Sequence, residues 1–255
     1  MSEQFNFDVK KTKADFDRDG YIVLRGFLNP AEVSSLQREL DRYVNKVAPQ
    51  LPATDVMYED KQNLQTLKQL ARIKQHDPYF ADLINRPKWA GLAKILLADD
   101  VISQELEWFN KPPVIGKPTP PHQDGYYFML EPNEAVTMWL ALDDVDESNG
   151  CMRYIPGSHR TGMRPHGRTQ ILGFSQGITD FGDADKAAEV PIRGKPGDLL
   201  VHHSLTIHRA EGNPSNRHRR SLGFVYYAAR ARQDAKTLAD YQQNLYKELN
   251  AAQKI

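Results

Sequence analysis

This chain of 255 residues has 33 basic and 33 acidic side chains, and 40 % of its residues are hydrophobic. Such a balance suits an ordinary globular core and excludes a net field that recruits nucleic acid or an anionic membrane. The single cysteine, Cys151, excludes an intramolecular disulfide and a thiolate metal cluster. No stretch has the length and apolarity of a signal peptide or a membrane span, so we expect a cytoplasmic protein without nucleic-acid or membrane partners.

The first hundred residues have mainly helical periodicity. A short strand is predicted around Tyr21–Leu24, after which Asn29 and Pro30 open an amphipathic helix. A second helical region is predicted from about 64 to 97, with interruptions at Pro78 and Pro87.

Beyond residue 100 short runs rich in β-branched and aromatic residues alternate with Gly and Pro, which indicates strands. These runs are VISQELEWFNK, AVTMWLALDDV, CMRYIPGSH, GDLLVHHSLTI and RRSLGFVYYAA. A succession of strands and turns is typical of a sandwich or barrel with helices packed outside it. We therefore predict one α+β domain over 1–255, with a helical part at about 1–100, a β core at about 101–230 and a terminal helix at about 235–254.

The chain contains one His-x-Asp motif, formed by His122 and Asp124. If this segment is a strand, residues i and i+2 point to the same face, so the imidazole and the carboxylate converge. Two such groups supply two ligands of a divalent metal and need a third from elsewhere. On its own the motif is more often a polar surface pair than a metal site.

Candidates for the third ligand lie in the segment GDLLVHHSLTIHRAEG. On a regular strand His202 and His208 share a face and His203 points the other way. For His202 and His203 the sequence favours strand residues held by hydrogen bonds. Two histidines and one carboxylate form the facial triad of non-haem Fe(II) oxygenases, which leaves positions for 2-oxoglutarate and dioxygen.

An oxygenase of this kind needs a fixed cation for the far carboxylate of 2-oxoglutarate. Arginine suits this role, because its planar fork matches a carboxylate with two charge-assisted hydrogen bonds. Arg217, Arg219 and Arg220 stand close behind His208, and a strand over RRSLGFVYY turns Arg219 inward. For Arg217 and Arg220 the sequence favours a solvated basic cluster.

An ordered set of motifs resembles the phytanoyl-CoA dioxygenase family over about 16–227. The set is HQD (122–124), W (139), NGC (149–151), PGSH (156–159), PGD (196–198), H (208), N (213) and R (219). The family consists of Fe(II)- and 2-oxoglutarate-dependent oxygenases built on a double-stranded β-helix, a jelly-roll or cupin-like barrel. The resemblance implies that His122, Asp124 and His208 bind the iron, and that Arg219 binds the C5 carboxylate of 2-oxoglutarate.

The resemblance also suggests residues around the cosubstrate. Trp139 matches a tryptophan that lines the cosubstrate pocket, although a core aromatic fits its run equally. Lys68 matches a lysine that reaches the cosubstrate, whereas periodicity alone makes it a solvated helix residue. Gln123 points away from the metal by alternation, so it is either structural or part of the pocket wall. Glu107 and Ala210 depart from the methionine and serine of relatives, and no cosubstrate contact is carried over to them.

We accordingly predict a dioxygenase that uses Fe(II), 2-oxoglutarate and O2 to hydroxylate an unidentified small molecule, releasing succinate and CO2. Asp124 stands where halogenating relatives have a small residue, which favours hydroxylation. We expect a monomer or a weak homo-oligomer. Two alternatives stay open at this point: a Zn- or Mn-dependent hydrolase or isomerase of cupin type, which has no need of Arg219, and a catalytically silent ligand-binding barrel.

The substrate side is predicted to begin at Tyr126, Tyr127 and Phe128. The segment 161–189 has mixed polarity and little periodicity, and a connection of this length is usually a functional lid. Its side chains either meet a polar or anionic substrate or hydrogen-bond the core. The residues in question are Arg164, His166, Arg168, Phe174 and Gln176.

Overall fold

Helices and antiparallel strands alternate in a computed structural model that describes residues 5–171 and 173–251, without the side chains of 170, 174, 246 and 248–250. The helices are α1 (Val9–Asp19), α2 (Pro30–Arg42), α3 (Ile73–His76), α4 (Pro78–Leu83), α5 (Pro87–Leu97), α6 (Gly125–Phe128), α7 (Asp183–Ala188) and α8 (Ala235–Ala251). The strands are β1 (Tyr21–Leu24), β2 (Val56–Tyr58), β3 (Leu67–Leu70), β4 (Val101–Lys111), β5 (Thr119–His122), β6 (Leu130–Glu131), β7 (Ala135–Ala141), β8 (Met152–Tyr154), β9 (His166–Ile171), β10 (Phe174–Ile178), β11 (Val190–Ile192), β12 (Leu199–His203), β13 (His208–Ala210), β14 (Arg219–Ala228) and β15 (Arg232–Gln233).

The larger sheet has seven strands in the order β1-β12-β7-β14-β4-β3-β2. Its central strand β14 pairs antiparallel with β4 on one side and with β7 on the other. Helices pack against this sheet through apolar side chains: Trp89 of α5 stacks on Phe224 of β14, with ring centroids 4.0 Å apart. Burying such large rings removes apolar surface from water and anchors the helices to the sheet.

The smaller sheet has four strands in the order β11-β8-β13-β5. A second apolar cluster joins Trp139 and Leu200 of the larger sheet to Met152 and Tyr154 of the smaller one, so the two sheets face each other. The predicted double-stranded β-helix therefore takes the form of two facing antiparallel sheets, which do not close into a hydrogen-bonded barrel.

Most predicted elements agree with the structure. β1 lies at Tyr21–Leu24, and the strand runs predicted after residue 100 contain β4, β7, β8, β12 and β14. α2 begins at Pro30 because Asn29 caps it: the Asn29 side chain accepts from the backbone of Glu32, whose carboxylate accepts from the Asn29 backbone. The predicted terminal helix is α8, and residues 252–254 lie outside the described residues. No described helix is both long and apolar enough to cross a membrane.

The helical prediction is wrong at Leu67–Leu70, which form the strand β3, while Leu64–Thr66 form one 3₁₀ turn. The leucines at 64, 67 and 70 follow one another at a spacing that fits one face of a helix. Gln69 and Leu70 instead pair with Phe109 and Trp108 of β4, and every residue of β3 is buried. A pairing with a strand forty residues further along the chain overrides the local pattern.

The segment 161–189 is also more regular than predicted. It contains the hairpin of β9 and β10, followed by α7. Arg164 ties the segment together through ion pairs with Asp180 and Asp185. The segment contacts the core through the backbone of Gln176, whose carbonyl accepts a hydrogen bond from the Tyr127 hydroxyl at 2.9 Å. These contacts favour hydrogen bonds to the core, while the Phe174 side chain lies outside the described set.

Candidate active site

A cavity of about 350 Å³ lies between the two sheets and is lined by residues of both. Six of the seven predicted site residues line it: His122, Asp124, His208, Arg219, Trp139 and Lys68. A surface cleft of about 670 Å³ between α1 and β1 contains none of them. The chemistry of the chain is therefore to be sought between the sheets.

The two histidines meet across the smaller sheet. His122 ends β5, His208 begins β13, and the two are register partners. Each ring directs Nδ1 at a backbone carbonyl, of Pro120 at 2.8 Å and of Thr206 at 2.9 Å. Because a carbonyl can only accept, Nδ1 carries the proton in each ring and the Nε2 lone pair is left for a ligand.

Asp124 completes a group of three potential metal ligands. Its Oδ1 lies 3.4 Å from Nε2 of His122 and 3.5 Å from Nε2 of His208. One ligand atom from each of the three residues lies within 4.8 Å of the other two. This spacing allows a single divalent ion to touch all three side chains.

The prediction that His122 and Asp124 lie on one strand is wrong, although the two side chains do converge. β5 ends at His122, and Asp124 has helical backbone angles as the N-cap of α6. The Asp124 carbonyl accepts from the backbone N–H of Tyr127 at 2.9 Å. A turn of the chain, and not strand alternation, aims the carboxylate at the histidines.

A third histidine, His202 on β12, hydrogen-bonds the Asp124 carboxylate. Its Nε2 lies 3.0 Å from Asp124 Oδ2, and its Nδ1 lies 3.0 Å from the Tyr154 hydroxyl. Thr137 on β7 donates to the same Oδ2 at 2.5 Å. The expectation that His202 is a hydrogen-bonded strand residue is confirmed, but its partner is a potential metal ligand. His203 faces elsewhere, and its Nδ1 accepts from the Leu205 backbone.

The protonation states of the group suit a metal ion. Burial raises the pKa of Asp124, but the imidazoles of His208, His122 and His202 outweigh burial and hold that pKa well below its usual range. Burial, together with His122 and His202, holds the pKa of His208 well below its usual range. A carboxylate and a neutral imidazole at neutral pH are the forms in which these side chains bind metals.

Arg219, the first residue of β14, is a buried cation at the same cavity. It is 4 % exposed, and its guanidinium carbon lies 5.1 Å from the centroid of the Trp139 ring. Burial lowers its pKa to about 10, which still leaves it protonated at neutral pH. Its Nε has no hydrogen-bond partner, and it forms no ion pair within the described residues. Since an unpaired buried charge is costly, this arginine fits an anionic ligand.

The comparisons with known proteins agree with these observations. A model of the phytanoyl-CoA dioxygenase family matches residues 16–221. The chain belongs to the phytanoyl-CoA dioxygenase family. Peroxisomal phytanoyl-CoA dioxygenase of Bos taurus is 26 % identical over 220 residues, which cover 81 % of this chain and 65 % of the bovine protein. Phytanoyl-CoA dioxygenase domain-containing protein 1 of Danio rerio is 28 % identical over 262 residues, with 85 % and 88 % covered.

Two solved structures share the fold. EctD from S. alaskensis, crystallised with 2-oxoglutarate and 5-hydroxyectoine, has a TM-score of 0.71 at 26 % identity, covering 89 % of this chain and 79 % of its own. The epimerase SnoN, in complex with Fe3+, alpha ketoglutarate and nogalamycin RO, has a TM-score of 0.72 at 25 % identity, covering 88 % and 84 %. The family resemblance and the fold predicted from the sequence are confirmed.

Two lysines join Arg219 at one end of the cavity of this phytanoyl-CoA dioxygenase relative. Lys68 lies buried on β3 and pairs with Glu59 at 3.2 Å, so it is not the solvated helix residue that periodicity alone suggests. Lys111 on β4 is the register partner of Arg219, and its Nζ donates to Thr119 Oγ1 at 3.2 Å. Burial, with Arg219 and Lys68, holds the pKa of Lys111 well below its usual range. No sequence pattern singles out Lys111, which lies in the segment NKPP (110–113).

Other residues singled out by the family pattern separate into two groups. Trp139 lines the cavity beneath Arg219, as the resemblance implies. Gln123 is fully buried outside the cavity wall: its amide donates to the carbonyls of Gly162 and Leu205 and accepts from the Arg164 backbone. These contacts support the structural alternative for Gln123 and not a place in the cosubstrate pocket.

The remaining arginines of the basic segment have acidic partners. Arg220 points outward and forms an ion pair with Asp143, whose carboxylate also accepts from the Arg220 backbone. Arg217 pairs with Asp146 at 2.8 Å. Strand alternation turns Arg220 away from the side that Arg219 faces, whereas Arg217 precedes β14.

Proposed function

We propose that this protein is a non-haem Fe(II)- and 2-oxoglutarate-dependent dioxygenase that hydroxylates a small molecule and releases succinate and CO2. One observation carries the proposal: a buried arginine that has no anionic partner among the described residues shares a cavity with a His-Asp-His group. The triad alone also suits a hydrolase or isomerase that uses zinc or manganese. Arg219 has no purpose in that alternative, whereas a dicarboxylate cosubstrate requires a cation of this kind.

The residues present fit the implied cofactors. His122, Asp124 and His208 would hold Fe(II), since imidazole and carboxylate ligands on one face of the metal are the donor set of such oxygenases. Arg219 would bind the C5 carboxylate of 2-oxoglutarate, and the amino groups of Lys111 and Lys68 line the cavity beside it. When bound, Fe(II) and 2-oxoglutarate supply the oxidative decarboxylation that activates O2 for attack on a C–H bond.

The protein's own contribution is to orient and enclose the reactants. His202 and Thr137 engage Oδ2 of Asp124, which keeps Oδ1 directed at the two histidines. In the tautomer that satisfies all partners, the Tyr154 hydroxyl donates to Nδ1 of His202 and Nε2–H donates to Asp124. Trp139 excludes water from one face of Arg219 and so strengthens its attraction for a carboxylate.

The relatives support the cofactors and leave the substrate open. EctD and SnoN were crystallised with 2-oxoglutarate, and SnoN also with iron. This chain spans 65 % of the bovine relative, so that protein's substrate is not transferred. The cytoplasmic location remains a prediction, since some relatives are peroxisomal. The monomeric or weakly oligomeric state is also a prediction.

The test is a substrate screen with two readouts. Purified protein receives Fe(II), 2-oxoglutarate and air with each candidate small molecule, and mass spectrometry follows succinate and the substrate mass. We expect succinate to form together with a product heavier by one oxygen atom. Turnover with zinc but not with iron would favour the hydrolase, and a product of unchanged mass would favour isomerisation.

A further inference from the structure

Strand β4 gives the cavity two ends of opposite charge. Four of its alternate residues line the cavity: Glu105, Glu107, Phe109 and Lys111. Lys111 lies opposite Arg219, and Glu107 lies opposite Gly223, four residues further along β14. At about 3.3 Å per residue, the Cα atoms of Glu107 and Lys111 are roughly 13 Å apart. One end is therefore suited to the cosubstrate carboxylate, and the other carries carboxyl groups that the proposed mechanism does not use.

Glu107 is a carboxyl group without a cationic partner. Within the described residues it forms no ion pair, and its hydrogen bond is to Nε2 of Gln69, at 3.3 Å. Burial, followed by the charge of Glu105, raises the pKa of Glu107 to about 8. The residue opposite, Gly223, lies against the ring of Phe109, and a side chain at this position would crowd that ring.

Gln69 adds a second acceptor that lacks a donor. It is 6 % exposed and lines the cavity, and its Oε1 has no hydrogen-bond partner in the part of the chain that the structure describes. A side chain at Gly173 would clash with this oxygen, so the hairpin turn leaves room for it. An unpaired buried acceptor costs free energy that a donor from a ligand removes. Glu107 and Gln69 thus present two acceptors on one wall of the cavity.

Aromatic rings line the cavity as well. Tyr127, Phe128 and Tyr227 all belong to its wall, and the rings of Phe128 and Tyr227 lie 5.1 Å apart. The negative faces of aromatic rings attract cations, and a carboxylate beside them adds charge complementarity. A neutral hydroxyl or amide would satisfy the two acceptors but would gain nothing from the rings.

We propose that Glu107 and Gln69 bind a protonated amine of the substrate, in the cavity whose wall also carries the aromatic rings. An ammonium group provides N–H donors for both acceptors. Its positive charge favours the ionised form of Glu107, so the carboxyl group releases its proton as the amine binds. This assignment rests on the proposed function, because it names the class of substrate that the proposed dioxygenase would bind in the same cavity. Amine-bearing molecules are therefore the class to screen first.

The test uses four matched probes: n-butylamine, n-butanol, butyrate and tetramethylammonium. Ligand-observed NMR measures their binding to metal-free protein and, without oxygen, to protein loaded with Fe(II) and 2-oxoglutarate. The variants are Glu107→Gln, Glu107→Met and, as a matched control, Glu131→Gln, which removes an exposed carboxylate outside the cavity. Far-UV circular dichroism checks that each variant is folded.

We expect n-butylamine to bind at least tenfold more tightly than n-butanol or butyrate. Glu107→Gln and Glu107→Met should each weaken its binding at least tenfold, while Glu131→Gln leaves it unchanged. Tetramethylammonium should bind between the amine and the alcohol, because it has charge but no N–H donor. Equal binding of n-butanol, no binding of the amine, or full binding by Glu107→Gln would each overturn the assignment. If amine binding persists but Fe(II) and 2-oxoglutarate fail to bind, the proposed function fails and the amine site stands.

Discussion

One end of the cavity carries the basic side chains of Arg219, Lys111 and Lys68, and the other carries the carboxyl groups of Glu105 and Glu107. The His-Asp-His group lines the same cavity. Arg219 at the basic end belongs to the motif set that resembles the family, whereas Glu107 at the other end belongs to none of those motifs. The difference teaches that one strand, β4, carries both Lys111, beside the proposed cosubstrate site, and Glu107, in the proposed amine site. Breaking each end separately should therefore produce different defects.

The largest effect is expected at the group between the two ends. Replacing His208 by alanine removes one of three metal ligands, so Fe(II) affinity should fall by more than about 100-fold. His203→Ala is the matched control, because its ring contacts the Leu205 backbone and faces away from the triad. Metal titration followed by calorimetry checks both variants. A larger loss in His203→Ala would show that the assignment of strand faces is reversed.

At the basic end, Arg219→Ala should weaken 2-oxoglutarate binding by about 2–3 kcal/mol, or roughly 30- to 150-fold. The lost partner is a charge-assisted one in a site shielded from water. Arg220→Ala should leave the affinity unchanged, since Arg220 pairs outward with Asp143. Equilibrium binding of 2-oxoglutarate without oxygen measures both. An unchanged affinity in Arg219→Ala removes the cosubstrate from this end of the cavity.

His202→Phe should lower Fe(II) affinity by roughly 10-fold, because it removes one of the two donors that hold Asp124 Oδ2. Phenylalanine keeps the ring volume and tests the hydrogen bond alone. Affinity for the uncharged probe n-butanol should not change. Calorimetric metal titration of the variant decides between this supporting role and a purely apolar one, in which phenylalanine would match the native protein.

The smallest effect is expected at the acidic end and depends on pH. The pKa of Glu107 is raised from 4.5 to about 8 in the folded protein. Between these two values the unfolded chain loses its proton and the folded chain keeps it, so native stability falls as pH rises. Glu107→Gln lacks this loss and should gain roughly 1–3 kcal/mol over the native protein between pH 5 and pH 8. Urea unfolding of metal-free protein at both pH values checks the sign, and a larger gain at pH 5 would contradict it.

How far the sequence predicted the fold depends on whether an element is defined locally. β4 and β14 have dense β-branched and aromatic runs between turns, and their bounds follow from those runs. β3 was predicted as helix, because its leucines have helical spacing and its pairing with β4 is distant in sequence. Lys68 was placed on a solvated helix by periodicity for the same reason, while the family resemblance pointed to the cavity.

The order of the motifs predicts some residues of the candidate site. Residues that join the site only through long-range contacts are not predicted by it. His122, Asp124, His208 and Arg219 follow from ordered motifs, and the structure brings them to one cavity. Strand alternation does not apply to Asp124, because β5 ends at His122 and the chain turns into α6. His202 and its contact with Asp124 had no local signal beyond a face shared with His208, since the contact joins residues 78 positions apart.

The central claim is that a metal held by the triad and a dicarboxylate held by Arg219 occupy one cavity. Adding Fe(II) and 2-oxoglutarate to the protein without oxygen tests it directly, because 2-oxoglutarate chelated to Fe(II) produces a visible charge-transfer band. We predict a saturable band with one equivalent of iron in the native protein, no band in His208→Ala, and a band that needs much more 2-oxoglutarate in Arg219→Ala. A native protein that binds iron and 2-oxoglutarate without the band, or binds neither, would contradict the account.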